Sequence, residues 1–404
     1  MAGAAAATVA DVLVPVVVAR ADWLRALRAS ALVYLGVRLG LLLVGLVSTA
    51  LVPSRDPVDV PGWPATSPSA SWHHLFTAWE RHDALWFLRI ASTGYAPDDG
   101  SAAFFPLYPL LSGAVGRLLG DHWLLGAYVV SNVALVAGLT VLFRLTELEL
   151  GEAAARRTVL YLCVFPTAFF LFAPYTESLF LALTVSCLYA ARRSAWLLAG
   201  ALGALAALTR SSGVLLVLPL VVEGVLQLRA GGGLRTGLRA AVACALVPLG
   251  TATYLLFWEL RYEQGLRPFE VQGTTWSREP AWPWETLLDG LRQGVQFLGS
   301  YPGGYFTVDA VLVLVALATG VWVAVRVRPT YAVWLWASLL LPLVLPFDGR
   351  ALLSVPRFLV VLFPVAWGLA RLAERWRAHD AVVAASATGL GLLSVLFVNW
   401  YFIF

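Results

Sequence analysis

The chain has 404 residues, 60% of them hydrophobic and only 13% charged, with a formal net charge of +4. That balance excludes a soluble globular core and reads as an all-α polytopic membrane protein. No long basic stripe with interleaved aromatics is present, so nucleic acid is excluded as a partner, and all 28 basic residues are arginine, a bias from which no function follows.

In chain order, Met1 to Arg20 is read as a surface-lying cytoplasmic leader, because Asp11 and Pro15 interrupt it and no basic region precedes its apolar part. A helix needs roughly 20 apolar residues to cross a hydrocarbon core of ~30 Å. Eleven runs fit approximately: 31–52, 123–146, 157–174, 176–192, 195–209, 212–228, 239–260, 305–326, 330–346, 355–373 and 381–403. Cys163, Cys187 and Cys244 all lie inside such runs and read as packing residues, with no disulfide framework. Placing the N-terminus in the cytoplasm puts the pairs Arg156-Arg157 and Arg192-Arg193 on the inner face, as the positive-inside rule asks, and Phe404 outside.

Two long outer segments follow from that topology, 53–122 and 261–304. In the first, Trp72, Leu75, Phe76, Trp79, Asp83, Trp86, Phe87 and Ile90 fall at offsets 0, 3, 4, 7, 11, 14, 15 and 18, which predicts an amphipathic helix with one acid on its apolar stripe. A carboxylate there is costly without a partner or a task, so Asp83 is either a candidate general base, with His82 beside it, or an acid solvated at a helix kink. Pro97, Asp98, Asp99 and Gly100 form a turn; a divalent metal there is the lesser reading beside a solvated loop. Pro106 and Pro109 then prevent a regular helix, so 104–119 is expected to be interfacial or re-entrant and not a crossing.

Three further constellations face outward. Tyr175-Thr176-Glu177-Ser178 opens a span: Thr176 can cap the helix and Glu177 can face its dipole, or Glu177 and Tyr175 can bind sugar. Thr209-Arg210-Ser211-Ser212 offers an arginine that either snorkels to headgroups or grips a phosphate with serine donors. Arg350 and Arg357 flank the start of another span, where an anion could be held. The second outer segment adds Trp276, Trp282 and Trp284, either an interfacial belt or a wall for lipid or sugar. One or two acids and several arginines at a single face are the parts an enzyme needs to move a sugar from a lipid phosphate to a hydroxyl. The competing reading is a transporter or flippase for an anionic lipid-linked substrate.

HDALWFLRIASTGY, then AAFFPLYPLL, FPTAFFLFAPYTESLF and ALTRSSGVL resemble, in this order, the PIG-V family, whose founding activity is the second mannosyl transfer of GPI-anchor assembly. The resemblance implies a GT-C-like fold, a polyprenyl- or dolichyl-phosphate mannose donor, a glycolipid or glycan acceptor, and inversion at the anomeric carbon. It also implies an essential acid in the first outer loop, here Asp83. Apart from the divalent metal left open above, no cofactor is expected. Three departures, His82 for tryptophan, Thr176 for serine and Ser212 for asparagine, imply a distant, prokaryotic-type member whose acceptor need not be a GPI precursor. The site would face outward from the plasma membrane in a prokaryote and into the lumen from the endoplasmic reticulum membrane in a eukaryote.

Overall fold

A computed structural model describes residues 20–63, 73–300 and 304–403; the leader before Arg20, Trp72, Tyr301 to Gly303 and Phe404 lie outside the described residues. Among the described residues the only β pairings are isolated bridges. Within hydrocarbon each backbone N–H must find its carbonyl in its own segment, so apolar runs of this length fold as helices. In chain order these are α1 (Arg20–Leu51), α2 (His74–Thr77), α3 (Asp83–Thr93), α4 (Leu107–Leu118), α5 (Trp123–Leu150), α6 (Glu152–Val164), α7 (Phe169–Phe172), α8 (Glu177–Arg192) and α9 (Trp196–Thr209). After a 3-10 turn at Ser211–Leu216 come α10 (Val217–Arg229), α11 (Leu234–Tyr262), α12 (Arg267–Thr274), α13 (Pro283–Gln296), α14 (Gly304–Arg326), α15 (Pro329–Val344), α16 (Val355–Leu359), α17 (Phe363–Arg375) and α18 (His379–Val398).

Six helices among the described residues are long and apolar enough to cross a membrane: α1, α5, Ser211–Arg229, α11, α14 and α18. The other five expected runs end in shorter or broken helices. Run 157–174 divides into α6 and α7 around Phe165-Pro166, and run 355–373 into α16 and α17 ahead of Pro364. Proline supplies no N–H to the ladder and ends or offsets the helix there. Helix α9 has 14 residues, about 21 Å at 1.5 Å per residue, short of a ~30 Å core. Helix α4, the ordered part of 104–119, has 12 residues and covers about 18 Å.

The first outer segment departs from its apolar spacing. That spacing predicts one helix through Asp83, but regular helix stops at Thr77 and resumes at Asp83. Arg81 is the cause: its buried guanidinium donates to Thr77 O at 2.8 Å and Glu80 O at 3.0 Å, folding the chain around itself, and to Val398 O at 2.8 Å. His82 then takes a positive φ of 52°. Asp83 therefore begins a helix instead of lying on the stripe of a longer one.

Small residues set the closest crossings. Helix α9, rich in alanine and glycine, lies along α11 so tightly that a Cβ on Gly250 would stand 2.0 Å from Ala204 O, and one on Gly200 2.8 Å from Ala243 Cα. Gly113 abuts Ala91 O and Gly126 abuts Ser112 O, which draws α3, α4 and α5 into one unit. On α1, Leu32, Leu39 and Leu43 stay exposed and face outward, toward lipid. Gly250→Val should force α9 from α11 and lower the thermal midpoint in detergent, at an overpacking cost of about 1–3 kcal/mol. Gly40→Ala, with nothing within 4 Å of the added methyl, should leave it unchanged or slightly higher. An unshifted midpoint for Gly250→Val would refute the close crossing.

Candidate active site

The site begins with the turn that places Asp83. Glu80 is buried and accepts from Trp63 Nε1 at 3.1 Å, while Arg81 stacks under Trp400, 4.6 Å from its ring. Tyr175 Oη donates to Arg81 O at 2.6 Å, clamping the turn to the start of α8. The His82 ring lies among Phe397, Trp400 and Phe402, with centroids at 5.6, 5.5 and 5.8 Å. Desolvation there pushes its pKa down to about 4, only partly opposed by Asp83, so the imidazole is neutral at physiological pH. Asp83 is the first residue of α3, where the unpaired N–H groups and the helix dipole favour a carboxylate.

Four charged side chains from distant parts of the chain meet at this point. Arg357 Nη1 is bonded to Asp83 Oδ2, and its Nε donates to Glu177 Oε1 at 2.5 Å. Arg210 Nη1 donates to the same Glu177 oxygen at 2.7 Å and to Thr176 Oγ1 at 3.3 Å. Thr176 also donates to Glu177 Oε2 at 3.3 Å and makes no cap to the backbone, contrary to the capping role its position suggests. Two carboxylates thus balance two guanidiniums. Aromatic faces cover the cations: Phe170 and Tyr175 lie 5.0 and 4.8 Å from Arg357, and Phe180 and Phe358 lie 5.7 and 4.8 Å from Arg210. Glu177 has 0% side-chain exposure, whereas Asp83 keeps 27%, so Asp83 is the more accessible of the two acids.

Each member sits where a helix has been interrupted. Arg210 is the extended residue between α9 and the 3-10 turn, and Gly213 allows that turn, since a Cβ there would lie 2.4 Å from Ala206 O. Arg357 lies in the five-residue α16, which Thr167 Oγ1 fixes to the Phe165-Pro166 break by donating to Pro356 O at 2.9 Å. Arg38, in the middle of α1, donates to Phe172 O at 2.8 Å and braces α7 below Tyr175.

Two expected residues lie elsewhere in this arrangement. Arg350 is bound to Asp309 Oδ2 at 2.7 Å and to Ile403 O at 2.7 Å, tying α14 to the C-terminal segment apart from the Asp83 cluster. Ser211 is exposed beside Arg210. One residue that the sequence did not single out lies near the cluster without bonding to it. Arg278, from the second outer segment, donates to Leu345 O at 2.9 Å and Ser354 Oγ at 3.4 Å. Its pKa is lowered by burial, with Arg357 acting in the same direction and Asp83 opposing. A single loop arginine carries no periodicity or motif that would mark it. Trp276 from that segment meets Trp86 and Phe104 at 6.1 and 5.6 Å to form an aromatic wall next to α3, while Trp282 and Trp284 stack on each other in the open. Asp99 is salt-bridged to Arg89 and accepts from Ser101 N at 2.9 Å, and no group of three His, Cys, Asp or Glu side chains that could hold a metal ion is found among the described residues.

Glu177→Gln preserves shape but leaves two buried guanidiniums facing one remaining acid. We expect a loss of about 3 kcal/mol in stability, read as a lowered thermal midpoint in detergent, and a smaller loss for Asp83→Asn at its more exposed position. Equal midpoints for wild type and Glu177→Gln would mean that Glu177 does not hold the arginines.

Residues 37–226 match the sequence model of a family described as mannosyltransferase (PIG-V). That stretch carries His82, Asp83, Tyr175, Glu177, Arg210 and Ser211, and ends before Arg278, Arg350 and Arg357. No curated protein sequence matches the chain. Among solved structures, ArnT from Cupriavidus metallidurans bound to undecaprenyl phosphate is similar at 14% identity and a TM-score of 0.50, with 92% of this chain and 76% of that chain covered. The Archaeoglobus fulgidus oligosaccharyltransferase in complex with Zn and sulfate is more distant, at 13% identity, a TM-score of 0.44 and coverage of 90% and 53%. The chain is thus an integral multi-pass membrane protein that is PIG-V mannosyltransferase-like in sequence over residues 37–226 and has a GT-C-like fold shared with ArnT.

Proposed function

We propose that this chain is a membrane mannosyltransferase, which takes mannose from a polyprenyl-phosphate mannose donor and places it on a hydroxyl of a glycolipid or glycan acceptor. The family match and the fold support a membrane glycosyltransferase, and the undecaprenyl phosphate bound in ArnT supports a lipid-phosphate carrier for the donor. The observation that carries the reading is one partly exposed carboxylate, Asp83, bonded to an arginine that Glu177 holds from behind.

In the reaction Asp83 accepts the proton of the acceptor hydroxyl as its oxygen forms the new bond to the anomeric carbon. The bond from that carbon to the phosphate oxygen breaks with its electron pair remaining on the phosphate, and attack opposite the leaving group inverts the centre. Growing negative charge on the phosphate is met by Arg357, Arg210 and Arg278 among low-dielectric aromatic walls, where charge-assisted hydrogen bonds are strongest. The donor phosphate competes with Asp83 for Arg357, so donor binding frees the carboxylate to act as a base. Trp276, half-buried and edge-on to the stacked Trp86 and Phe104, offers an apolar face to a sugar or to the first isoprene unit. The site faces outward, with the N-terminus in the cytoplasm.

The assay supplies purified protein with labelled polyprenyl-phosphate mannose and a panel of acceptor glycolipids. Asp83→Asn should lower turnover by roughly a hundredfold or more while donor binding survives. Arg210→Ala and Arg278→Ala should each weaken donor use by roughly ten- to a hundredfold, the loss of one charge-assisted phosphate contact. Near-normal turnover in Asp83→Asn, or wild-type donor kinetics in both arginine variants, would overturn these roles. Transport of the intact donor without transfer to any acceptor would favour the flippase reading instead.

For orientation, a cysteine introduced at position 121, between α4 and α5, should react with an impermeant reagent added from outside. Labelling only from the cytoplasmic side would mean that 104–119 crosses the membrane.

A further inference from the structure

Helix α13 runs across the ends of two neighbouring helices instead of along them. Just before it, Ala281 N donates to Val344 O, at the last residue of α15, at 2.9 Å. Near its far end, Thr307 Oγ1 of α14 donates to Gly294 O at 2.8 Å, and a Cβ on Gly294 would stand 2.7 Å from Ala310 Cβ. Between these ties Gly290 abuts Leu352. Helix α14 is one of the six helices of membrane length, and Thr307 and Ala310 lie in its first two turns. The level of α13 is therefore the level at which α14 enters the hydrocarbon.

At about 100° per residue, the 14 residues of α13 divide into three stripes. Thr286, Gly290 and Gly294 are buried, and the two glycines face Leu352 and α14. Trp284, Leu288 and Val295 fall within about 40° of one another and are exposed, at 56%, 50% and 75%. Arg292, Glu285, Gln296 and Asp289 come next around the helix, all exposed, with Arg292 and Asp289 paired at 3.0 Å. Protein, then an apolar stripe, then a charged one is the order around a helix that rests on a membrane protein with hydrocarbon below it and water above. The apolar stripe extends past both ends of the helix. Trp282 stacks on Trp284 at 4.8 Å at the start, and Leu298 stands exposed at the other end. Indole rings favour the headgroup level of a bilayer. The polar stripe holds two acids and one arginine, so it offers no positive excess to an anionic surface.

We propose that α13 is an interfacial helix, with Trp284, Leu288 and Val295 inserted among the lipids of the leaflet on the Asp83 side, whatever the headgroup charge. Held there, α13 fixes the loop between α15 and α16. Gln293 accepts from Ala351 N at 3.3 Å and donates to Gly349 O at 3.5 Å, and Arg278, just upstream of α13, donates to Leu345 O. The depth of α13 in the leaflet thus sets the height of Arg278 and of the turn from Phe347 to Arg350 that precedes Arg357. This anchoring is independent of the transfer chemistry.

The test is spin labelling of the full chain in phosphatidylcholine nanodiscs, through the single substitutions Leu288→Cys, Val295→Cys, Glu285→Cys and Gln296→Cys, all at exposed positions. The unsubstituted chain gives the background from Cys163, Cys187 and Cys244. The ratio of collisions with oxygen to collisions with a water-soluble nickel chelate should be about fivefold higher at 288 and 295 than at 285 and 296. Adding phosphatidylglycerol to the discs should leave that contrast unchanged. In a chain carrying Trp284→Ser and Leu288→Ser, a nitroxide on Asp348→Cys, also at an exposed position, should become about twofold more mobile. Equal collision ratios on the two stripes, or a contrast that requires anionic lipid, would overturn the insertion. So would dipolar broadening at 288 that disappears on dilution with unlabelled chain, because a second copy would then cover the stripe. Unchanged mobility at 348 would overturn the hold on the loop.

Discussion

The fork of Arg357 is the contact on which the part of this protein around Asp83 depends. One guanidinium joins Asp83 of the first outer segment to Glu177 at the start of α8, and Arg210 shares the same Glu177 oxygen. Withdrawing these charges from water costs several kcal/mol per ion, and their attraction offsets it only when every lone pair and proton has a well-placed partner. Two carboxylates against two guanidiniums, with Thr176 on the far oxygen of Glu177, come close to that condition. The exception is Asp83, which keeps an exposed part and so remains available for chemistry.

That requirement explains why the helices around the cluster are short. An unbroken helix points its side chains outward along a cylinder and cannot bring two arginines and two acids to a point. Breaks at Phe165-Pro166, at Arg210 and at Ser354 let α8, the 3-10 turn and α16 end beside each other. Irregular backbone at membrane depth is tolerated where protein surrounds it, and here Arg38, Thr167 and Tyr175 take up the loose carbonyls.

The opposite face is managed with different partners. Glu223 is fully buried and accepts from Arg328 at 2.7 and 3.0 Å and from Thr330 at 2.7 Å, and Glu149 accepts from Arg192 and Tyr331. Those acids are enclosed by donors, which makes them braces between α10, α15 and α5. Asp83, paired with Arg357 yet 27% exposed, keeps an opening beside an aromatic wall, and that exposure sets it apart from the enclosed Glu149 and Glu223.

Much of this was legible in the chain itself. Apolar runs of ~20 residues fix an all-helical membrane protein because lipid offers the backbone no alternative partner, and the order of the HDALWFLRIASTGY, PYTESLF and ALTRSSG blocks carried the family resemblance. Asp83, Glu177, Tyr175, Arg210 and Arg357 could be picked out because charge or hydroxyls inside apolar sequence are costly. Their partnership could not, since Arg357 is separated from Asp83 by 274 positions and from Glu177 by 180. Nor could the sequence tell Arg350, bound to Asp309, from Arg357, or mark Arg278 in its loop. The break before Asp83 was hidden as well, because it is made by Arg81 reaching carbonyls that include Val398 O near the far end of the chain. Local pattern decides which segments enter the membrane; which charge meets which is decided by the tertiary fold, because ion pairing depends on distance in space and leaves no periodic trace along the chain.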